Sequence, residues 1–120
     1  MKRRNFAALV LFLLVAVVLV GCADRKEKTE TASYQQITAE EAKSMMEEQP
    51  DAVVLDVREQ DEYDAGHIPG AVLLPVGTIN EETAASAIPE KDTVVLVYCR
   101  SGNRSKTASQ ALADLGYTQI

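Results

Sequence analysis

The 120-residue chain has no tryptophan, two phenylalanines and four tyrosines. A core built from it must rest on Val, Leu, Ile, Ala and Met. It has one histidine and two cysteines. Neither a histidine cluster nor a cysteine pair stands at metal-ligand spacing, so no metal and no cofactor is expected. Positive charge is scarce: 12 Lys and Arg stand against 18 Asp and Glu, a formal net charge of -6. Lys2, Arg3 and Arg4 lie at the extreme N-terminus, and without those three charges the balance is -9. That acidity argues against nucleic acid as a partner. Any anion binding must come from local charge, not from the field of the whole molecule. Only one long apolar run occurs, at residues 6–20. It is short of the roughly 20 apolar residues that a membrane span needs.

What is present begins with that run. Residues 1–5 are basic, residues 6–20 are unbroken apolar sequence, and Leu19-Val20-Gly21-Cys22 follows. Basic end, apolar run and small residue in this order form a signal peptide pattern. The four-residue ending resembles the lipobox of bacterial lipoproteins, which implies cleavage after Gly21 and a lipid on Cys22. Residues 1–21 are thus expected to be a lipoprotein signal peptide. Residues 22–33 are the lipidated cysteine and a charged, Thr-rich tether that cannot bury enough surface to order itself. The lipid would hold the protein on a membrane of the bacterial cell envelope, outside the cytoplasm, without spanning it.

Residues 34–120 alternate between strand and helix patterns. A short strand is predicted at 34–37. Thr38 with Glu41 makes a capping box, and Ala42, Met45 and Met46 form an apolar stripe for a helix that Pro50 stops. Residues 52–57 read as a buried parallel strand interrupted only by Asp56. A short helix at 60–65 ends on Gly66. A strand at 71–74 follows the Pro69-Gly70 turn. Thr78 and Glu81 repeat the capping-box signature before an Ala-rich helix that Pro89 closes. A fourth strand is predicted at 93–98, and a helix at 105–115 with Gly116 as its C-terminal cap. A fifth strand starts at 117. This alternation predicts an α/β domain with a parallel sheet, whose ligands bind beyond the carboxyl ends of the strands.

Cys99 stands at one such end. The stretch Cys99-Arg100-Ser101-Gly102-Asn103-Arg104-Ser105 joins the fourth strand to the last helix. Arg100 and Arg104, a helix N-terminus and the backbone N–H groups of residues 100–105 favour an anion and lower a thiol pKa. Gly102 permits a positive φ. A cysteine at a strand end is often only packing, but two arginines, a glycine and a helix start at one point favour a reactive thiol. If Cys22 carries lipid, Cys99 is the only free thiol and has no partner for an intramolecular disulfide, which excludes a two-cysteine redox mechanism within the chain.

Three motifs resemble the rhodanese family of sulfurtransferases. They are Val54-Leu55-Asp56-Val57-Arg58-Glu59 with Glu62-Tyr63, then Gly66-His67-Ile68-Pro69-Gly70-Ala71, and the loop from Cys99 to Arg104. The resemblance implies a three-layer fold with parallel strand order 1-5-4-2-3. It also implies that Cys99 takes the outer sulfur of thiosulfate or a persulfide and passes it to a thiol or cyanide. Arg100, Ser101, Gly102, Asn103, Arg104 and Ser105 would hold the anionic donor. Family members continue through a full fifth strand and a final helix, whereas this chain stops at Ile120, so a fold truncated at its C-terminus is expected. The domain is expected to act as a monomer. Asp56 and Arg58 are read as a fold-stabilising pair near the site, and His67 as structural.

Two other readings compete. A rhodanese-like module can carry sulfur or bind a partner without turnover. Cysteine-dependent phosphatases and arsenate reductases bind tetrahedral oxyanions. The phosphatase loop places five residues between its cysteine and arginine, but only four separate Cys99 from Arg104, and the tighter loop suits sulfur.

Overall fold

The computed structural model describes residues 32–120. The leader, Cys22 and the tether up to residue 31 lie outside the described residues. Among those described, no helix is long and apolar enough to cross a membrane. The elements, in order, are α1 (Ala39–Glu48), β1 (Val53–Asp56), α2 (Gln60–Ala65), β2 (Val72–Leu73), a 3-10 turn (Val76–Thr78), α3 (Glu81–Ala87), β3 (Val95–Tyr98) and α4 (Asn103–Asp114).

The sheet is parallel, with β1 central between β2 and β3. This is the α/β architecture predicted from the alternating pattern. Two of the five predicted strands, at 34–37 and 117–120, are extended segments without strand pairing. Scattered backbone bonds tie them in: Gln35 donates to the Ile120 carbonyl at 3.0 Å, Val95 to the Gln119 carbonyl at 2.9 Å, and Thr118 to the Lys91 carbonyl at 3.0 Å. A strand needs a repeated ladder of such bonds.

Strand alternation sorts the side chains into two faces. Val53, Leu55, Val95 and Val97 face a core shared with Leu74, Ala84, Ile88, Ala108 and Leu112 from the flanking segments. Leu55, Ile88 and Leu112 are fully buried, each worth about 2 kcal/mol in area removed from water. The expectation of an aromatic-free core fails at Tyr117. Its ring is buried with this cluster, and its hydroxyl donates to the Ile88 carbonyl at 2.7 Å. Lys91 lies 4.3 Å from the centre of that ring and caps the end of α4 through the Leu115 carbonyl. On the other face, α1 presents Ala42, Met45 and Met46 toward Val54, Leu96 and Tyr98 across a groove of about 300 Å³. No residue of α1 is fully buried, so the methionines are half-buried and not core.

Local chemistry accounts for most boundaries. Thr38 and Glu41 exchange bonds of 3.2 and 2.7 Å as the predicted capping box of α1. The second predicted box does not form. Asn80, not Thr78, caps α3, and its partner is Thr83. Thr78 instead closes the 3-10 turn by donating to the Pro75 carbonyl. Gly116, at φ 96°, ends α4: its N–H reaches the Ala113 carbonyl and that of Tyr117 reaches Leu112, the paired bonds of a Schellman end.

The charged exception among the described buried residues is Asp56, which is fully buried. The ladder pairs it with Tyr98 across β1 and β3, so both side chains leave the same face. The Tyr98 hydroxyl donates to Asp56 Oδ2 at 2.6 Å. The Arg58 guanidinium grips both carboxylate oxygens, at 2.7 Å in its shortest bond, and the Arg58 backbone N–H adds a third donor. Burial alone would raise the Asp56 carboxyl; the donors from Arg58 and Tyr98 outweigh it and hold the group below the ordinary carboxylate value. Asp56 and Arg58 are therefore paired, with Tyr98 as a third member. Asp56→Ala is expected to destabilise the domain by about 3 kcal/mol, because it strands the Arg58 charge and the Tyr98 hydroxyl. Urea unfolding followed by circular dichroism measures this, and a loss no larger than that of an exposed carboxylate would refute it.

Candidate active site

Cys99 is the first residue after β3, and only Arg100 and Ser101 separate it from Gly102, the N-cap of α4. Helix α4 therefore starts two residues before the position predicted from periodicity. Gly102 takes φ 93°, a left-handed conformation that turns the chain back over the cysteine. It has no side chain with which to cap the helix. The open N–H groups of the first turn find another acceptor. Gly102 N–H donates to Cys99 Sγ at 3.1 Å and Ser105 N–H at 3.3 Å. The sulfur thus does the work of a capping oxygen.

This geometry explains the acidity of the thiol. Burial pushes Cys99 up. The Ser105 hydroxyl and the backbone N–H groups of Ser105, Gly102 and Ser101 more than offset it, so the thiol lies below the ordinary cysteine value. The Ser105 hydroxyl has one proton, and it also reaches the Gly102 carbonyl at 2.9 Å. It can serve the sulfur only by leaving that carbonyl. Cys99 is half-buried and unbridged.

The remaining predicted residues divide into two groups. Arg100, Ser101 and Asn103 are exposed to solvent. Arg104 is engaged in an ion pair: Nη1 donates to Glu62 Oε2 at 2.6 Å and Nη2 to Glu62 Oε1 at 2.9 Å. Glu62 Oε2 also accepts the Glu59 N–H at 2.9 Å, which closes the first turn of α2. Arg104, with help from that N–H, holds the Glu62 carboxyl at about 2. Asp56 and Arg58 lie behind the loop, and Arg58 also donates to the Gly66 carbonyl at 2.7 Å. Tyr98 accepts the Ile68 N–H at 3.1 Å. His67 stacks on Tyr63, with ring centres 3.6 Å apart, and its Nδ1 lies 2.8 Å from the Tyr63 carbonyl. Glu62 and Tyr98 are the residues that sequence reasoning passed over. Glu62 stood in a quoted motif without a role, and nothing local connects it to Arg104, 42 residues away.

Residues 38–120 match the family described as the rhodanese-like domain. The chain belongs to the rhodanese-like family. It is 36% identical over 66 residues to the Escherichia coli thiosulfate sulfurtransferase PspE, covering 55% of this chain and 62% of that protein. It is 33% identical over 87 residues to the thiosulfate sulfurtransferase GlpE of Coxiella burnetii, covering 72% of this chain and 78% of the relative. Among solved structures, the human single-domain sulfurtransferase TSTD1 superposes with a TM-score of 0.59 at 27% identity, covering 72% of this chain and 85% of that one. The chain thus spans about three-fifths of the length of PspE and more of the other two. The rhodanese-like fold carries the Cys99 loop at the carboxyl end of β3 and the Glu62 turn beyond β1, side by side.

Two outcomes follow from these contacts. Alkylation of Cys99 by iodoacetamide, followed against pH, should show a midpoint below that of a free cysteine. Ser105→Ala should move the midpoint up, since it removes one donor, and an unmoved midpoint would exclude the hydroxyl. The Glu62 carboxyl, depressed when folded, contributes stability that is complete above pH 4.5 and is lost as the pH falls through about 2. Thermal melts across that window should therefore lose more for the unsubstituted chain than for Glu62→Gln; equal slopes would contradict the pairing.

Proposed function

We propose that this protein is a membrane-tethered sulfurtransferase whose nucleophile is Cys99. The observation that carries this reading is the Cys99 sulfur held by the Gly102 and Ser105 N–H groups at 3.1 and 3.3 Å, at the start of α4. Those donors favour a thiolate at rest. They equally favour the terminal anionic sulfur of a persulfide formed on the same atom.

The reaction is covalent catalysis in two transfers. Cys99 thiolate attacks the outer sulfur of the donor. A new S–S bond forms at Cys99 as the donor's own bond to that sulfur breaks. The electron pair leaves on the remainder, which is sulfite when thiosulfate is the donor. An acceptor thiolate or cyanide then attacks the outer sulfur of the persulfide and releases Cys99 thiolate. The loop N–H groups stay in place throughout, which is the advantage of donors fixed by backbone. Arg100, exposed in the same loop, is the guanidinium that would meet the donor's oxygens. The family likeness to proteins named thiosulfate sulfurtransferases supports this choice over phosphate chemistry, as does the spacing of Cys99 and Arg104.

The lipobox supports a lipid on Cys22, residues 22–33 as tether, and an extracytoplasmic location at the cell envelope. A monomer suffices for this chemistry, since every group named comes from one chain.

The purified chain should form thiocyanate from thiosulfate and cyanide, and Cys99→Ser should lower the rate by about a thousandfold or more. A persulfide detected on Cys99 by mass spectrometry without thiocyanate would identify a sulfur carrier instead. Hydrolysis of an aryl phosphate in place of sulfur transfer would sink the sulfur reading.

A further inference from the structure

The Cys99 loop carries two guanidiniums, but they are not equally available. Both terminal nitrogens of Arg104 are committed to the two oxygens of Glu62, at 2.6 and 2.9 Å. Glu62 is itself fixed by the Glu59 N–H. Arg104 and Glu62 are 32% and 28% exposed, so solvent screens the pair only in part. Arg100 is exposed and, among the described residues, enters no ion pair. Arg58, the next guanidinium along the chain, is taken by Asp56. Among the described residues of the loop and the first turn of α4, the cations outside any ion pair are therefore Arg100 and Lys106, while Arg104 is neutralised where it stands.

We infer that Glu62 is a specificity-determining residue, which occupies and neutralises Arg104 of the Cys99 loop and thereby shifts the site from thiosulfate toward donors of lower charge, the persulfides of small thiols. The inference rests on the sulfurtransferase reading and names its donor class. Thiosulfate brings two negative charges, and sulfite leaves with two; each is best met by paired cations. The –S–SH group of a persulfide R–S–SH carries at most one negative charge. Cys99 thiolate attacks its outer sulfur, a new S–S bond forms at Cys99, the donor's own S–S bond breaks, and R–S⁻ leaves with the electron pair and takes a proton from water. No oxyanion is present at any stage, so the loop N–H groups and Arg100 suffice.

The test uses the full chain in detergent and two donors, thiosulfate and cysteine persulfide, with cyanide as acceptor. Glu62→Gln keeps the shape and one acceptor for Arg104 but removes the charge that neutralises it. The ratio of kcat/KM for thiosulfate to that for cysteine persulfide should rise about fivefold, through a lower KM for thiosulfate, with sulfite becoming a stronger inhibitor. This ratio does not depend on the fraction of chain that is folded. On an Arg104→Gln background the same substitution should leave the ratio unchanged, since the effect runs through that guanidinium. An unchanged ratio in an active Glu62→Gln chain would overturn the role of Glu62. So would a rise that persists when Arg104 is gone. Absence of transfer from both donors in the unsubstituted chain would instead sink the sulfurtransferase reading, a separate and recognisable result.

Discussion

The buried carboxylate of Asp56 is where three parts of the chain meet. It ends the central strand β1, and it receives the Tyr98 hydroxyl from the end of β3 and the Arg58 guanidinium from the segment leading to α2. Arg58 extends the junction to the Gly66 carbonyl, and Tyr98 extends it to the Ile68 N–H. A buried ion is costly unless every lone pair finds a donor. That requirement makes the junction sharply dependent on geometry. Tyr98 cannot satisfy Asp56 unless β1 and β3 are in this register, and Cys99 is the next residue in the chain. The position of the nucleophile is thus inherited from the demand of a carboxylate one strand away.

Beyond Tyr98 the problem changes from satisfying an anion to creating one. Helix α4 begins on a glycine and so has no side chain to cap it. Its free N–H groups turn to the Cys99 sulfur, and the thiol gains acidity as the helix gains a cap. The two needs are met by the same atoms. Burial opposes the thiolate, but several short-range donors aimed at one sulfur outweigh it. Guanidinium charge contributes less than the loop composition suggests. Of the arginines closest in sequence and space to the site, Arg58 serves Asp56 and Arg104 serves Glu62.

Much of this molecule could be read before any fold was seen. The alternation of apolar runs with capped helical stripes marked β1, α2, β2, β3 and α4 within a residue or two, because those signals are local. The misses were equally physical. Asn80 outcompeted Thr78 as a cap because both are good acceptors and only the path of the turn chooses between them. The segments at 34–37 and 117–120 have strand-like sequence but too few backbone partners to form a ladder. Met45 and Met46 have the spacing of a core stripe, yet α1 lies over a groove and leaves them half-buried.

By itself the sequence determined that a parallel α/β sheet forms, and that Cys99 stands where a strand gives way to a helix. It also determined that Gly102 supplies the left-handed turn between them. Periodicity, caps and a glycine requirement are properties of neighbouring residues, so they are written in neighbouring letters. The tertiary structure alone decided which charges are free. The pairs Asp56–Tyr98 and Glu62–Arg104 are each separated by 42 residues, and both are set by how β3 lies beside β1. Ion pairing depends on distances across strands and loops, which no local pattern encodes. Two arginines that look alike in the loop therefore end with different work, Arg104 bound to Glu62 and Arg100 open to the solvent from which a donor arrives.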